Sequence, residues 1–150
     1  MSATEEIAKV LPAKPSIALD QYKALHKESI ENPQEFWGKA AVEHLDWFRP
    51  FDKVLDGGFE HGDVRWFEGG KLNLCYNALD RHVNSASANE IALICEGDEP
   101  TDIKRFTYAE VLRKVCQISN AMIHLGVKKG DIVTIYMPMM PEIVMTMLAW

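Results

Sequence analysis

Gly130 to Glu142, reading GDIVTIYMPMMPE, constrains this chain more than any other stretch, because a strand pattern, a turn and a helix start follow one another there without a gap. Asp131 to Met137 is β-branched and apolar with Tyr136 near its end, the pattern of a strand buried on both faces. Pro138 closes that strand, since it has no N–H to give to a ladder. Pro141 suits the first position of a helix, where an N–H would be unpaired anyway, and Glu142 meets the positive end of the helix dipole. Together these predict the first half of a βαβ crossover, with a parallel partner strand to follow beyond the helix.

The other bounds are ordinary for a soluble domain. One hundred and fifty residues, 47% hydrophobic and 25% charged, suffice for one real core. A net charge of −6, with no basic cluster larger than the pair Lys128 and Lys129, argues against nucleic acid as a partner. Cys75, Cys95 and Cys116 show no C-x-x-C or metal-ligand spacing and are expected to be reduced structural thiols of a cytoplasmic protein rather than a zinc or redox site. The first twenty residues carry Glu5 and Glu6, no arginine and no apolar core of signal-peptide length, so neither a secretory signal nor a transit peptide is expected. The apolar run from Ile143 to Trp150 is too short to span a bilayer, and no membrane partner is expected.

Taken in order, the chain opens with a loose arm over 1–18 holding two prolines. A helix follows from Leu19, with Tyr22, Leu25 and Ile30 as its apolar stripe. Asn32, Pro33 and Glu35 stop it and start a second helix, with Asn32 as cap, that reaches to about Phe48. That helix carries Phe36, Trp37, Trp47 and Phe48, and each buried aromatic removes on the order of 150–250 Å² from water, so it must pack on something large. Phe51 to Gly70 reads as an irregular connection with one short strand at Val64 to Glu68. Its glycine pairs lack the spacing of a phosphate loop.

Asn73 caps the next helix, whose core face is Tyr76, Leu79 and Val83 with Leu72 just ahead. Asp80, Arg81 and His82 are tempting as a relay, but consecutive helical residues point about 100° apart. They are expected to form a polar face with local ion pairs. Ile91 to Glu96 and Ile103 to Phe106 are the arms of a hairpin, the first a short buried strand, turned at Gly97 to Pro100. Thr107 and Glu110 make a capping box, and Val111, Val115, Ile118, Met122 and Leu125 mark one helix face ended by Gly126. The second half therefore reads β, β, α, β, α. Its last helix is apolar all round save for Thr146 and stops without a cap, which makes the chain read as incomplete and prone to aggregate alone.

Residues alone give no nucleophile–base pair, carboxylate pair, metal cluster or phosphate loop. Resemblance extends the reading. The succession YKALHKESIENPQEFWGKAA, DWFRPFDKVLD, WFEGGKLNLCYNALDRHV, ALICEGDEP and FTYAEVLRKVCQISNAMIHLGVKKGDIVTIYMPMMPE resembles the opening of the acetyl-CoA synthetases, adenylate-forming acyl-CoA ligases, over roughly Asp20 to Ala149. The Phe36 and Trp37 pair and the helix from Asn73 to His82 resemble the short-chain branch in particular.

That resemblance implies an α/β fold, with a helical N-terminal cap region over 19–89 and the first β-β-α-β-α elements of an AMP-binding domain over 90–150. It implies acetate, ATP and coenzyme A as substrates of the full-length enzyme, with Mg²⁺. The phosphate loop, acyl pocket, coenzyme A contacts and catalytic lysine of such enzymes follow the point matching Trp150, so no catalytic, cofactor-binding or metal residue is assigned to this chain and no cofactor is expected to bind it alone. The remainder of the ligase would then cover Phe36, Trp37, Trp47, Phe48 and the apolar tail. In the family a small residue usually stands where Trp150 does, which marks an incomplete or misjoined gene product as an expectation. A ligase for propionate or another short acid, and a non-catalytic interaction module, are the competing expectations.

Overall fold

The computed structural model describes residues 17–99 and 101–150. The loose arm expected over 1–18, apart from its last two residues, and Pro100 of the hairpin turn lie outside these. The described residues are mixed α/β: helices and two separate two-stranded antiparallel sheets. They divide into two compact units, the described part of Met1–Leu45 with Arg49–Gly70, and Asp46–Phe48 with Lys71–Trp150.

The first unit holds helices α1 (Leu19–Glu31) and α2 (Pro33–His44) and the strands β1 (Lys53–Gly58) and β2 (Asp63–Glu68). Pro33 takes the first position of α2 as expected, but Asn32 gives no side-chain cap. Glu35 instead pairs with Lys39 one turn on, at 2.8 Å. The helix ends at His44, short of Phe48, because Leu45 is already extended. The stretch expected to be an irregular connection is a regular hairpin, with Leu55 opposite Trp66 and Gly58 opposite Asp63. Asp56, Gly57 and Gly58 lie inside β1, and the reversal falls at the 3₁₀ turn Phe59–His61, closed by left-handed Gly62.

Gly57 has φ +74°, and a Cβ there would sit 1.5 Å from the carbonyl oxygen of Asp63 across the ladder. Only glycine fits so close a backbone approach. Helix α2 lies on this hairpin: Gln34 Nε2 donates to the Leu55 carbonyl at 3.0 Å, and Trp37 meets Trp66 edge to face at 6.3 Å. Trp66 in turn touches Phe67, which packs on Phe51 at 5.1 Å. The large partner that α2 needs is thus supplied in part by its own hairpin.

The second unit holds a helical stretch over 74–83 (α3), the strands β3 (Ile91–Glu96) and β4 (Ile103–Thr107), and helices α4 (Tyr108–His124) and α5 (Pro141–Ala149). Asn73 Oδ1 accepts from the Tyr76 N–H at 2.8 Å, the expected start of α3, but a π turn over Tyr76–Asp80 widens its middle. The capping box is present in full: Thr107 accepts from the Glu110 N–H while the Glu110 carboxylate accepts from the Thr107 N–H at 2.9 Å. At the other end Gly126 has φ +91°, its N–H reaches the Ile123 carbonyl, and the Val127 N–H reaches that of Met122. This is the six-to-one closure that a glycine after the last turn allows.

Leu79, Val111, Val115 and Met145 form the buried core, so α3 and α4 meet on the faces read from sequence, while α5, expected to be apolar all round, buries Met145 and leaves Met147 exposed. The β3–β4 hairpin forms in the expected place, but its first arm is half-buried, with Ile91 and Ile94 exposed. Leu125 likewise stands in solvent just past the helix.

The strand expected at Asp131 to Met137 is absent. Residues 131–138 form no regular element, and no strand pairs with them among the described residues. Ile132 is 94% and Tyr136 100% exposed, while Val133, Ile135 and Met137 are half-buried. The alternation of a strand is there without the ladder. A strand's N–H and C=O groups must be satisfied by a neighbour, and the parallel neighbour that the pattern implies is not among these residues.

Candidate functional site

Three elements of the second unit, α3, α4 and the end of α5, line a cavity of about 740 Å³. Tyr76 and Asp80 face it from α3, Cys116 and Ser119 from α4, and Trp150 from beyond α5, with Phe48 at its edge. The π turn shapes one wall, since an extra residue per turn rotates Tyr76 and Asp80 relative to a regular helix. Phe48 is held there by its N–H, which donates to the Lys71 carbonyl at 2.8 Å, and by its ring, 6.0 Å from that of Tyr76.

Behind this wall lies the one buried polar side chain of the described residues, Asn77. Its Oδ1 accepts from the Asp46 N–H at 2.8 Å and its Nδ2 donates to the Asp46 carbonyl at 3.0 Å, as a strand neighbour would. The same Nδ2 also donates to the Asn73 carbonyl, and Arg81 Nη1 approaches Oδ1 at 3.5 Å. Asn77 was passed over in sequence because it sits mid-helix among apolar neighbours. A polar residue on the side of a helix that should be core was the only signal.

The triplet Asp80, Arg81 and His82 is not brought together as a relay, in keeping with its spacing. Its members are each half-buried instead of forming one solvated face: Asp80 opens to the cavity, Arg81 reaches Asn77, and the ring of His82 packs tilted on that of Tyr108 with centres 4.8 Å apart. Trp47 and Phe48, expected on the same helix as Phe36 and Trp37, belong to the second unit, and Phe48 remains 68% exposed.

The chemistry this wall can offer follows from its charges. Its lining includes one carboxylate, Asp80, and no lysine or arginine. Such a surface repels a triphosphate. A second cavity of about 280 Å³, lined by Met122, Lys128, Lys129, Gly130 and Trp150, does hold two cations. Its left-handed turn at Gly130 is not an open anion nest, because the Lys128 N–H already donates to the Asp131 carboxylate at 2.7 Å. Burial pushes the Cys75 thiol above its ordinary 9.0, with the charges of Asp80 and Cys116 adding to it. Among the described residues no group of three His, Cys, Asp or Glu side chains could hold a metal ion, and no helix is long and apolar enough to cross a membrane.

Comparison with known proteins divides the chain in two. Residues 22–78 match the family described as acetyl-coenzyme A synthetase N-terminus, and residues 79–150 match the family of AMP-binding enzymes. Acetyl-coenzyme A synthetase of Phycomyces blakesleeanus is 50% identical over 132 residues, which are 88% of this chain and 20% of that protein. The Dictyostelium discoideum protein of the same name is 45% identical over 152 residues, 97% of this chain and 22% of that one. Acetyl-coenzyme A synthetase 2 of Pseudomonas aeruginosa is 45% identical over 130 residues, 87% and 20% respectively. The chain spans about a fifth of the length of these relatives.

Proposed function

Since this chain belongs to the acetyl-coenzyme A synthetase family, as an N-terminal piece of it, we propose that it serves an acetate–CoA ligase as the cap region and the first part of the nucleotide-activating domain. The reaction is the two-step one. Acetate attacks the α-phosphate of ATP with Mg²⁺ present, giving acetyl-adenylate and pyrophosphate, and the thiol of coenzyme A then displaces AMP. Such chemistry needs preorganised N–H groups and cations around the phosphates and a pocket sized for a methyl group.

We assign none of those groups to these residues. One observation supports this reading above others: the larger cavity presents Asp80 and no cation, the wrong sign for a nucleotide. The 150 residues then act as walls. We place the end of the cap region near residue 89, ahead of β3, and the protein in the cytoplasm. The remaining chain of a full-length ligase would cover Phe48, Trp37 and the outer face of 131–138.

The test is complementation. The 150-residue chain, mixed with a polypeptide supplying the rest of a relative's length, should support acetate-dependent exchange of pyrophosphate into ATP, and neither part should do so alone. Micromolar binding of ATP or coenzyme A by the isolated chain, measured by calorimetry, would overturn the assignment of an empty role. Preference for propionate in the same exchange would shift the reading to a longer-acid ligase. A non-catalytic module is favoured by a separate observation, the fully exposed Tyr136 and Ile132. It would be supported by a protein partner that binds without restoring exchange.

A further inference from the structure

Spacing in the sequence assigns the three cysteines no joint role, but folding brings two of them to one place. Cys75 lies in the first turn of α3, half-buried against the cluster of Leu79, Val111, Val115 and Met145. Cys116 lies on α4 beside Val115 and is exposed. Both open on the 740 Å³ cavity, and Cys75 packs on the cluster that holds Val115, the chain neighbour of Cys116. Cys95, on β3, does not line that cavity.

We propose that Cys75 and Cys116 are a peroxide-responsive thiol pair that closes to a disulfide across the cavity, joining α3 to α4. Their unequal surroundings divide the work. Cys116 is reached by solvent, so its thiolate attacks a peroxide oxygen, the O–O bond breaks, and Cys116 becomes a sulfenic acid as hydroxide leaves. Cys75, held protonated by burial and by the Asp80 carboxylate beside it, is a poor first target and a suitable second partner. Its sulfur attacks the sulfenic sulfur, the S–S bond forms, and the departing hydroxyl leaves as water with the Cys75 proton. The sum is two thiols and one hydrogen peroxide giving one disulfide and two waters. The inference does not depend on the ligase reading, because it uses only this chain's own residues and an external oxidant.

A disulfide needs Cα atoms within about 7 Å, so its formation also measures how closely α3 and α4 approach. The experiment treats the 150-residue chain with hydrogen peroxide, then counts free thiols and maps linked peptides by mass spectrometry without reduction. The count should fall from three to one, with Cys95 left free and the peptides of Cys75 and Cys116 joined. Cys95→Ser should leave the linkage unchanged. Cys75→Ser should leave Cys116 to collect sulfenic and then sulfinic acid, and exposed Cys116→Ser, which disturbs no core contact, should abolish the response. A linkage that includes Cys95, a bridge found only between separate molecules, sulfinic acid at Cys116 of the unmutated chain with Cys75 still free, or no oxidation at all would each overturn the proposal.

Discussion

Helix α4 and the segment 131–138 stand next to each other in the chain and carry equally strong sequence patterns, yet only one became the element its pattern announces. Over Tyr108–His124 the capping box, the apolar face from Val111 to Ile118 and the closing glycine found their partners. Over 131–138 the β-branched run alternates in burial, but it has no ladder among the described residues. A helix satisfies its backbone within itself, so its signals are sufficient locally. A strand borrows its partner from elsewhere, so its signals are necessary and not sufficient.

Substitutions can break or sharpen that contrast. The largest effect is expected from Val115→Asp, which puts an unpaired charge at the contact of α4 with α3 and α5. It should cost on the order of 4 kcal/mol and abolish the cooperative urea transition of the second unit. Met145→Ala, at a side chain 1% exposed, should lower stability by about 3 kcal/mol in the same titration. Thr107→Ala removes one half of the capping box and should cost about 1 kcal/mol. Tyr136→Ala should move the midpoint by less than about 0.5 kcal/mol, since the ring touches little. If Tyr136→Ala instead destabilised as much as Met145→Ala, the segment would already be packed as a strand and the contrast would fail.

A pH titration examines the cap more finely. The backbone N–H of Thr107, and then its hydroxyl, hold the Glu110 carboxyl below its ordinary 4.5. A carboxylate whose folded value is depressed stabilises the fold above its unfolded value, and that contribution disappears as pH falls through the folded one. The stability of the native chain should therefore fall on acidification below about pH 4.5 more steeply than that of Glu110→Gln. Equal slopes would show that the carboxylate adds nothing to the cap.

Much of the second unit was legible from sequence, for the reason just given. The faces of α3 and α4, the β3–β4 hairpin, the capping box and Pro141 at the start of α5 are all signals of short range. What escaped reading were matters of distant pairing. β1 was hidden because Gly57 looks like a turn until Asp63 is seen lying 1.5 Å from where its side chain would be. Asn77 was hidden because its partner, the backbone of Asp46, is thirty-one residues away. That Trp47 and Phe48 share no helix with Phe36 and Trp37 follows from α2 ending at His44, where no glycine or proline announced a stop.

By itself the sequence determined where the helices start, the capping box of α4 and its closing glycine, and its resemblance determined the family, since these depend on residues that are neighbours in the chain or on motifs taken whole. Only the tertiary structure decided which aromatics meet, that one carboxylate and two thiols share a cavity, and that the strand-like run at 131–138 has no partner among the described residues. Those outcomes turn on contacts between residues far apart in sequence, whose cost in chain entropy is repaid only when both sides are present.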